Sequence, residues 1–210
     1  MDTSTRLHRD IWFEYRRQSN KALANHTYDL HPCYEIRYYH RACGDVLLGN
    51  QVKSIKSGTL VLTNEPLKHD VISPYNHHTL IYSKILFKPE IINMLDRTFT
   101  MIHPLEPFEK LQTYSLQLHE EHCKEMEQAL HRLNHLYNHQ GMVRYHRFKL
   151  SFFDLLMLIY RFCKPAIIEI AAASDKERHV QNIIHYIEKH YRDEIRLEHI
   201  ESHLKVSKHH

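Results

Sequence analysis

The chain has 210 residues, 42% of them apolar and 25% charged, which suffices for one good core, or for one domain with a small appendage. Its 28 basic and 25 acidic side chains nearly cancel, so bulk charge demands no nucleic-acid partner and any DNA contact must come from a local patch. No run approaches the roughly 20 apolar residues of a membrane span, the polar start from Met1 to Arg9 lacks a secretory pattern, and Cys33, Cys43, Cys123 and Cys163 lack the spacing of a disulfide framework or zinc site. A reduced, cytoplasmic protein is expected.

In chain order, residues 1–28 hold the cluster Ile11-Trp12-Phe13 with Tyr15. It is expected to cap a barrel or pack under its first strand rather than touch a ligand. From Asp29 to Asp70 the pattern becomes β-rich. Alternation would place Asp29, His31, Cys33 and Glu35 on one side and Tyr34, Ile36 and Tyr38 on the other. Short runs at 45–48, 52–55, 59–63 and 79–87, with Gly44 and Gly58 marking turns, predict a sandwich or small barrel rather than a βαβ sheet.

Pro89 opens a helix-compatible run to Leu95. Phe99 to Met101 reads as a last short strand, and His103 to Phe108 as a loop. From Ser115 onward, Leu116, His119, Cys123, Met126, Leu130, Leu133 and Tyr137 follow a heptad seam. A second helix from about Arg144 to Cys163 carries a broad arc of Phe148, Phe152, Leu155, Leu156, Ile159 and Phe162, and Gly141 supplies the break before it. The two predict an antiparallel hairpin, whose seam suits intrachain packing and the pairing of two chains equally well. Leu116, Met126, Leu130, Leu133 and Tyr137 are the dimerisation candidates.

Pro165 is expected to end the second helix. Ala171 to Asp175 would be a linker, or else continue helical because alanine favours it. A helix capped by Ser174 or Asp175 would present Val180, Ile183, Ile184, Ile187 and Tyr191 on one face. A short helix with Ile195, Leu197, Ile200 and Leu204 would follow, with Ser207 where the next cap belongs.

His31, Tyr34-Glu35-Ile36, Gly44, Gly58-x-Leu60-x-Leu62 and His69 resemble the cupin-type sensor domain of AraC-family transcription regulators. Ile195-x-Leu197-Glu198-x-Ile200 followed by Leu204-x-Val206-Ser207 is similar to the first helix-turn-helix of the same family. Together, in the family's order, they cover nearly the whole chain. The resemblance implies an α+β fold. It would comprise a cupin-like β-barrel or jelly roll over 1–103, an antiparallel helical hairpin for linking or dimerisation over 104–173, and the first two helices of a helix-turn-helix over 174–210. The sequence stops three residues past Ser207, so the recognition helix is absent and a truncated regulator is expected.

The same resemblance implies a bacterial, non-enzymatic, ligand-responsive DNA-binding regulator that forms a homodimer, needs no cofactor and has no membrane partner. Its effector would be a small molecule such as a sugar or an organic acid, held by His31, Cys33, Glu35, Arg37, Tyr39 and His69. Arg196, Lys205, Ser207 and Lys208 would approach DNA in the intact regulator.

Two alternatives from other classes stand beside it. A metal-dependent cupin oxygenase or isomerase would use Asp29, His31, Glu35 and His69, but Asp29 stands where metal-binding cupins usually carry a His, so no metal is expected. A ligand-free dimerisation module is the other. Nucleophilic catalysis has little support, since no Gly-x-Ser-x-Gly elbow occurs and four glycines leave no phosphate loop. Most of the 21 histidines are scattered and read as solvated surface positions.

Overall fold

The computed structural model describes residues 11–19, 33–48, 51–64, 71–74, 80–92, 102–137 and 141–190. Within them the chain is mixed α+β. Eight strands run in order: β1 (Ile11–Ser19), β2 (Tyr34–Arg41), β3 (Cys43–Leu48), β4 (Gln51–Lys56), β5 (Thr59–Thr63), β6 (Val71–Pro74), β7 (Leu80–Phe87) and β8 (Thr113–Gln117). They form two antiparallel sheets, one ordered β1-β7-β2-β5-β8 and the other β4-β3-β6.

Three helices follow or interrupt the strands: α1 (Glu106–Leu111), α2 (Glu120–Tyr137) and α3 (Met142–His190). Residues 1–164 and 165–210 are two compact units, each described here by itself.

The central strand β2 reads Tyr-Glu-Ile-Arg-Tyr-Tyr-His-Arg, and from Glu35 to Tyr39 every residue is buried. A strand buried on both faces needs cover on both. One cover is the smaller sheet: Tyr39, Val61, Leu80 and Tyr82 of the large sheet share a core cluster with Val46, Leu48 and Ile55 of β3 and β4. The other is helical. Phe87 meets Phe108 of α1 and Phe152 of α3 edge to face at 5.5 and 5.0 Å, and Phe13 meets Tyr137 of α2 at 5.6 Å. Gly58 closes the β4–β5 turn at φ +84°, where a Cβ would stand 2.7 Å from the Cys123 thiol, so the turn needs glycine for backbone and space alike.

The expected hairpin forms within residues 1–164. Arg132 reaches Asp154 at 3.0 Å and Arg161 reaches Glu125 at 2.5 Å, a pairing in which residue numbers rise on one helix as they fall on the other. Gly141, at φ +124°, precedes α3 as predicted.

Several expectations are corrected. The heptad count began too early, because Ser115 and Leu116 belong to β8, which extends the large sheet beside β5. The segment read as a loop, His103 to Phe108, runs into the first turn of α1, which carries Pro107. Pro165 does not end the second helix: α3 runs through it and through Ala171 to Asp175, so no helix starts at Ser174 or Asp175. The run proposed as a strand at 99–101, and residues 195–207 of the helix-turn-helix pattern, lie outside the described residues.

Candidate functional site

Alternation along β2 turns Glu35, Arg37 and Tyr39 to the face that looks at the smaller sheet, away from the side that carries Ile36 and Tyr38. Register then brings partners that no single stretch of sequence announces. Thr63 lies opposite Glu35, Val61 opposite Arg37 and Thr59 opposite Tyr39 on β5, while Lys84 and Tyr82 of β7 lie opposite Arg37 and Tyr39. Glu14 of β1 stands opposite Lys84. The result is one strip, apolar towards Tyr39, Tyr82, Val61 and Leu80 and charged towards Glu35, Arg37 and Lys84.

The charged half is buried. Arg37 is 4% exposed and donates from Nη2 to Glu35 Oε1 at 2.6 Å, and Lys84 Nζ lies 3.7 Å from Glu35 Oε2. At the rim Arg17 pairs with Glu14. The Arg37 guanidinium packs over the Tyr82 ring at 5.7 Å, and the Lys84 ammonium over the Trp12 ring at 5.5 Å. Burial works most strongly against the charge on Arg37, but Glu35 together with Tyr39 and Tyr82 outweighs it and keeps the guanidinium protonated. For Lys84 burial wins over Glu35, and its pKa falls below that of an ordinary lysine. Burial also pushes the Tyr82 phenol up to about 12.

Arg17, Arg37 and Lys84 thus gather around the carboxylates of Glu14 and Glu35. Three buried polar atoms on this face make no hydrogen bond: Arg37 Nε, Tyr39 Oη and Thr63 Oγ1. The Tyr39 hydroxyl lies close enough to the guanidinium to favour its charge, yet makes no well-formed hydrogen bond. Each such group forfeits about 1–3 kcal/mol if it stays unpartnered, which is why orphaned polar atoms seldom gather on one buried face without a ligand or water to take them.

Of the six ligand candidates, Glu35, Arg37 and Tyr39 meet here. Cys33 is buried just before β2, with its thiol pushed up to about 11 by burial, so it stays an inert thiol at neutral pH. His31 and His69, with Asp29 from the metal set, lie outside the described residues, as do Arg196, Lys205, Ser207 and Lys208. Among the described residues no three His, Cys, Asp or Glu side chains come together in metal-binding proximity. Lys84, Tyr82 and Thr63 were missed; the run at 79–87 was legible as a strand, but its pairing with β2 was not.

The dimerisation candidates are placed differently from expectation. Met126, Leu130 and Leu133 are fully buried inside the chain, so that face of α2 is committed to intrachain packing. Leu116 is on a strand, and the Tyr137 hydroxyl accepts the Phe13 amide N–H at 3.4 Å. The outward side of the hairpin has a hollow of about 380 Å³ floored by Met157 and Leu158 and flanked by the two interhelical ion pairs.

No family model and no curated protein matches the chain. Among solved structures it is similar to an apo variant of ToxT from Vibrio cholerae, at 11% identity and a TM-score of 0.46, over 95% of this chain and 71% of that one. It is similar, too, to wild-type ToxT with an unsaturated fatty acid bound, at 10% identity and 0.42, over 95% and 69%. The AraC-like transcriptional activator CuxR aligns at 10% identity and 0.36, over 84% of this chain and 58% of that one. These likenesses concern the path of the chain alone.

Proposed function

We propose that this chain is the effector-binding part of an AraC-type transcription regulator, with a cupin-like barrel formed by the two sheets. The observation that carries the reading is the buried strip on β2, β5 and β7, with its buried guanidinium and its three orphaned polar atoms. A small organic acid suits it. Its anionic group would take Arg37 Nε and the Tyr39 hydroxyl, Thr63 would add a third donor, and an apolar body would lie along Tyr82, Val61 and Leu80.

Effector binding would favour one arrangement of barrel and helices over another, and acts only to the extent that it binds the two unequally. Arg196, Lys205, Ser207 and Lys208 would belong to the DNA-binding part. A homodimer would pair through the outward side of the hairpin, where Val143 and Leu150 are exposed, since the inward side of α2 is already covered.

The test is a thermal-shift screen of aliphatic and aromatic carboxylic acids against matched alcohols and sugars, because a binder raises the melting temperature by mass action. Acids are expected to shift the wild type, and Tyr39→Phe is expected to lose most of that shift while remaining folded. A shift from neutral sugars alone, or an acid shift untouched by Tyr39→Phe and Thr63→Val, defeats the proposal.

A further inference from the structure

The opposite face of the large sheet carries a second polar cluster, which lies under α2. His40, at the end of β2, has a side chain only 3% exposed. Its Nε2 is 2.8 Å from Ser83 Oγ on β7, and Ser83 Oγ also accepts the Arg16 amide N–H at 3.1 Å. Ser83 Oγ keeps a second lone pair, so it can donate to Nε2 or accept from it; where it donates, the imidazole proton sits on Nδ1. Nδ1 is buried, makes no hydrogen bond, and lies 3.5 Å from Oε1 of Glu127 on α2. The other oxygen of Glu127 holds the Arg16 guanidinium at 3.4 Å.

One carboxylate on α2 is therefore shared between an imidazole of β2 and a guanidinium of β1. Arg16 is presented by a bulge between Glu14 and Arg17 and has φ +49°, a strained position for a residue with a side chain. The remaining groups around the imidazole are the Tyr15 ring of β1 at 6.0 Å and the Tyr38 ring of β2 at 4.9 Å. On α2, His131 lies beyond Tyr15 and Cys123 beyond Tyr38. Glu127 is the one anion in this set, and it is already matched by Arg16.

We infer that His40 is a proton-operated latch between the large sheet and α2, engaged when the imidazole is neutral and released when it is protonated. Protonation makes both ring nitrogens donors, so Ser83 can no longer donate its hydroxyl proton to Nε2. It also adds a buried cation beside a carboxylate that the exposed Arg16 guanidinium already occupies. Burial first, and then Arg16, lower the imidazole pKa, with Glu127 countering only in part. The sign follows by linkage. A lowered pKa gives stability that is complete above the ordinary imidazole value of about 6.5 and is lost as pH falls below it towards the folded-state pKa.

The test is amide hydrogen exchange across Glu120 to His131 at pH 7.5 and 5.5, corrected for intrinsic rates, on wild type and His40→Gln. Wild type is expected to lose up to about tenfold in protection at the lower pH, the limit for one proton over one pH unit. His40→Gln, which can still bond Ser83, is expected to be flat. Glu127→Gln removes the stabilising anion, so it should deepen the acid loss rather than abolish it, and it serves if the His40 variant fails to fold. Equal acid loss in wild type and His40→Gln, or an abolished loss in Glu127→Gln, overturns the latch.

Discussion

At the scale of single residues, the buried hydroxyl of Thr63 separates a site from an accident of packing. Thr63 is wholly buried and its Oγ1 has no partner. Thr63→Val keeps the shape and removes the orphan, so the unliganded protein is expected to gain up to about 1 kcal/mol in urea unfolding, where an ordinary buried threonine would lose a comparable amount. Acid affinity should fall in the same variant. A clear loss of stability without ligand would mean that the hydroxyl is satisfied by the protein itself. Glu35, Arg37 and Tyr39 were legible because a strand repeats every two residues, so their common face needs no tertiary knowledge. Lys84 and His40 were not. Lys84 owes its role to the register of β7 against β2, and His40 to Glu127 on a helix far along the chain, and neither is written locally.

At the scale of elements, the two helices of the hairpin show how one pattern has two readings. The step of three and four along α2 was visible, but a seam that packs on a sheet and a seam that packs on another chain look alike in sequence. Burial decides between them. Leu130, wholly buried, truncated to alanine is expected to cost about 2–5 kcal/mol, whereas Leu150→Ala, at 60% exposure, should fall within about 0.5 kcal/mol by chemical denaturation. That holds for the dilute monomer, and a Leu150→Ala loss that grows with protein concentration would place Leu150 in the proposed dimer interface. The ion pairs Arg132–Asp154 and Arg161–Glu125 are exposed, so each contributes about 0.2–1 kcal/mol and fixes the register of the hairpin more than its stability. The early start assigned to α2 has a simple cause, since Leu116 falls three residues before His119 by chance. Pro165 misled in the other direction. A proline removes one helical hydrogen bond and can be carried inside a long helix when neighbouring turns hold.

At the scale of the molecule, the β-rich first half and helical second half followed from composition and period, and the two-sheet architecture followed from short strands between turn residues. The order β1-β7-β2-β5-β8 did not, because non-local pairing leaves no signature in a single sequence. That order gives β7 an unusual position. Its residues alternate between the two polar clusters: Tyr82 and Lys84 face the smaller sheet, while Ser83, between them, faces His40 and α2. A solute that draws on Lys84 pulls the same peptide that carries Ser83. Thermodynamic reciprocity then requires that occupancy on one side and proton uptake on the other bias each other equally. An acid that binds the wild type should bind more weakly at pH 5.5 than at 7.5, by a larger factor than in His40→Gln, as isothermal titration would record. Identical pH profiles in the two proteins would show that β7 insulates its two faces. If they differ, a single strand makes this protein a meter of acidity and of acid at once.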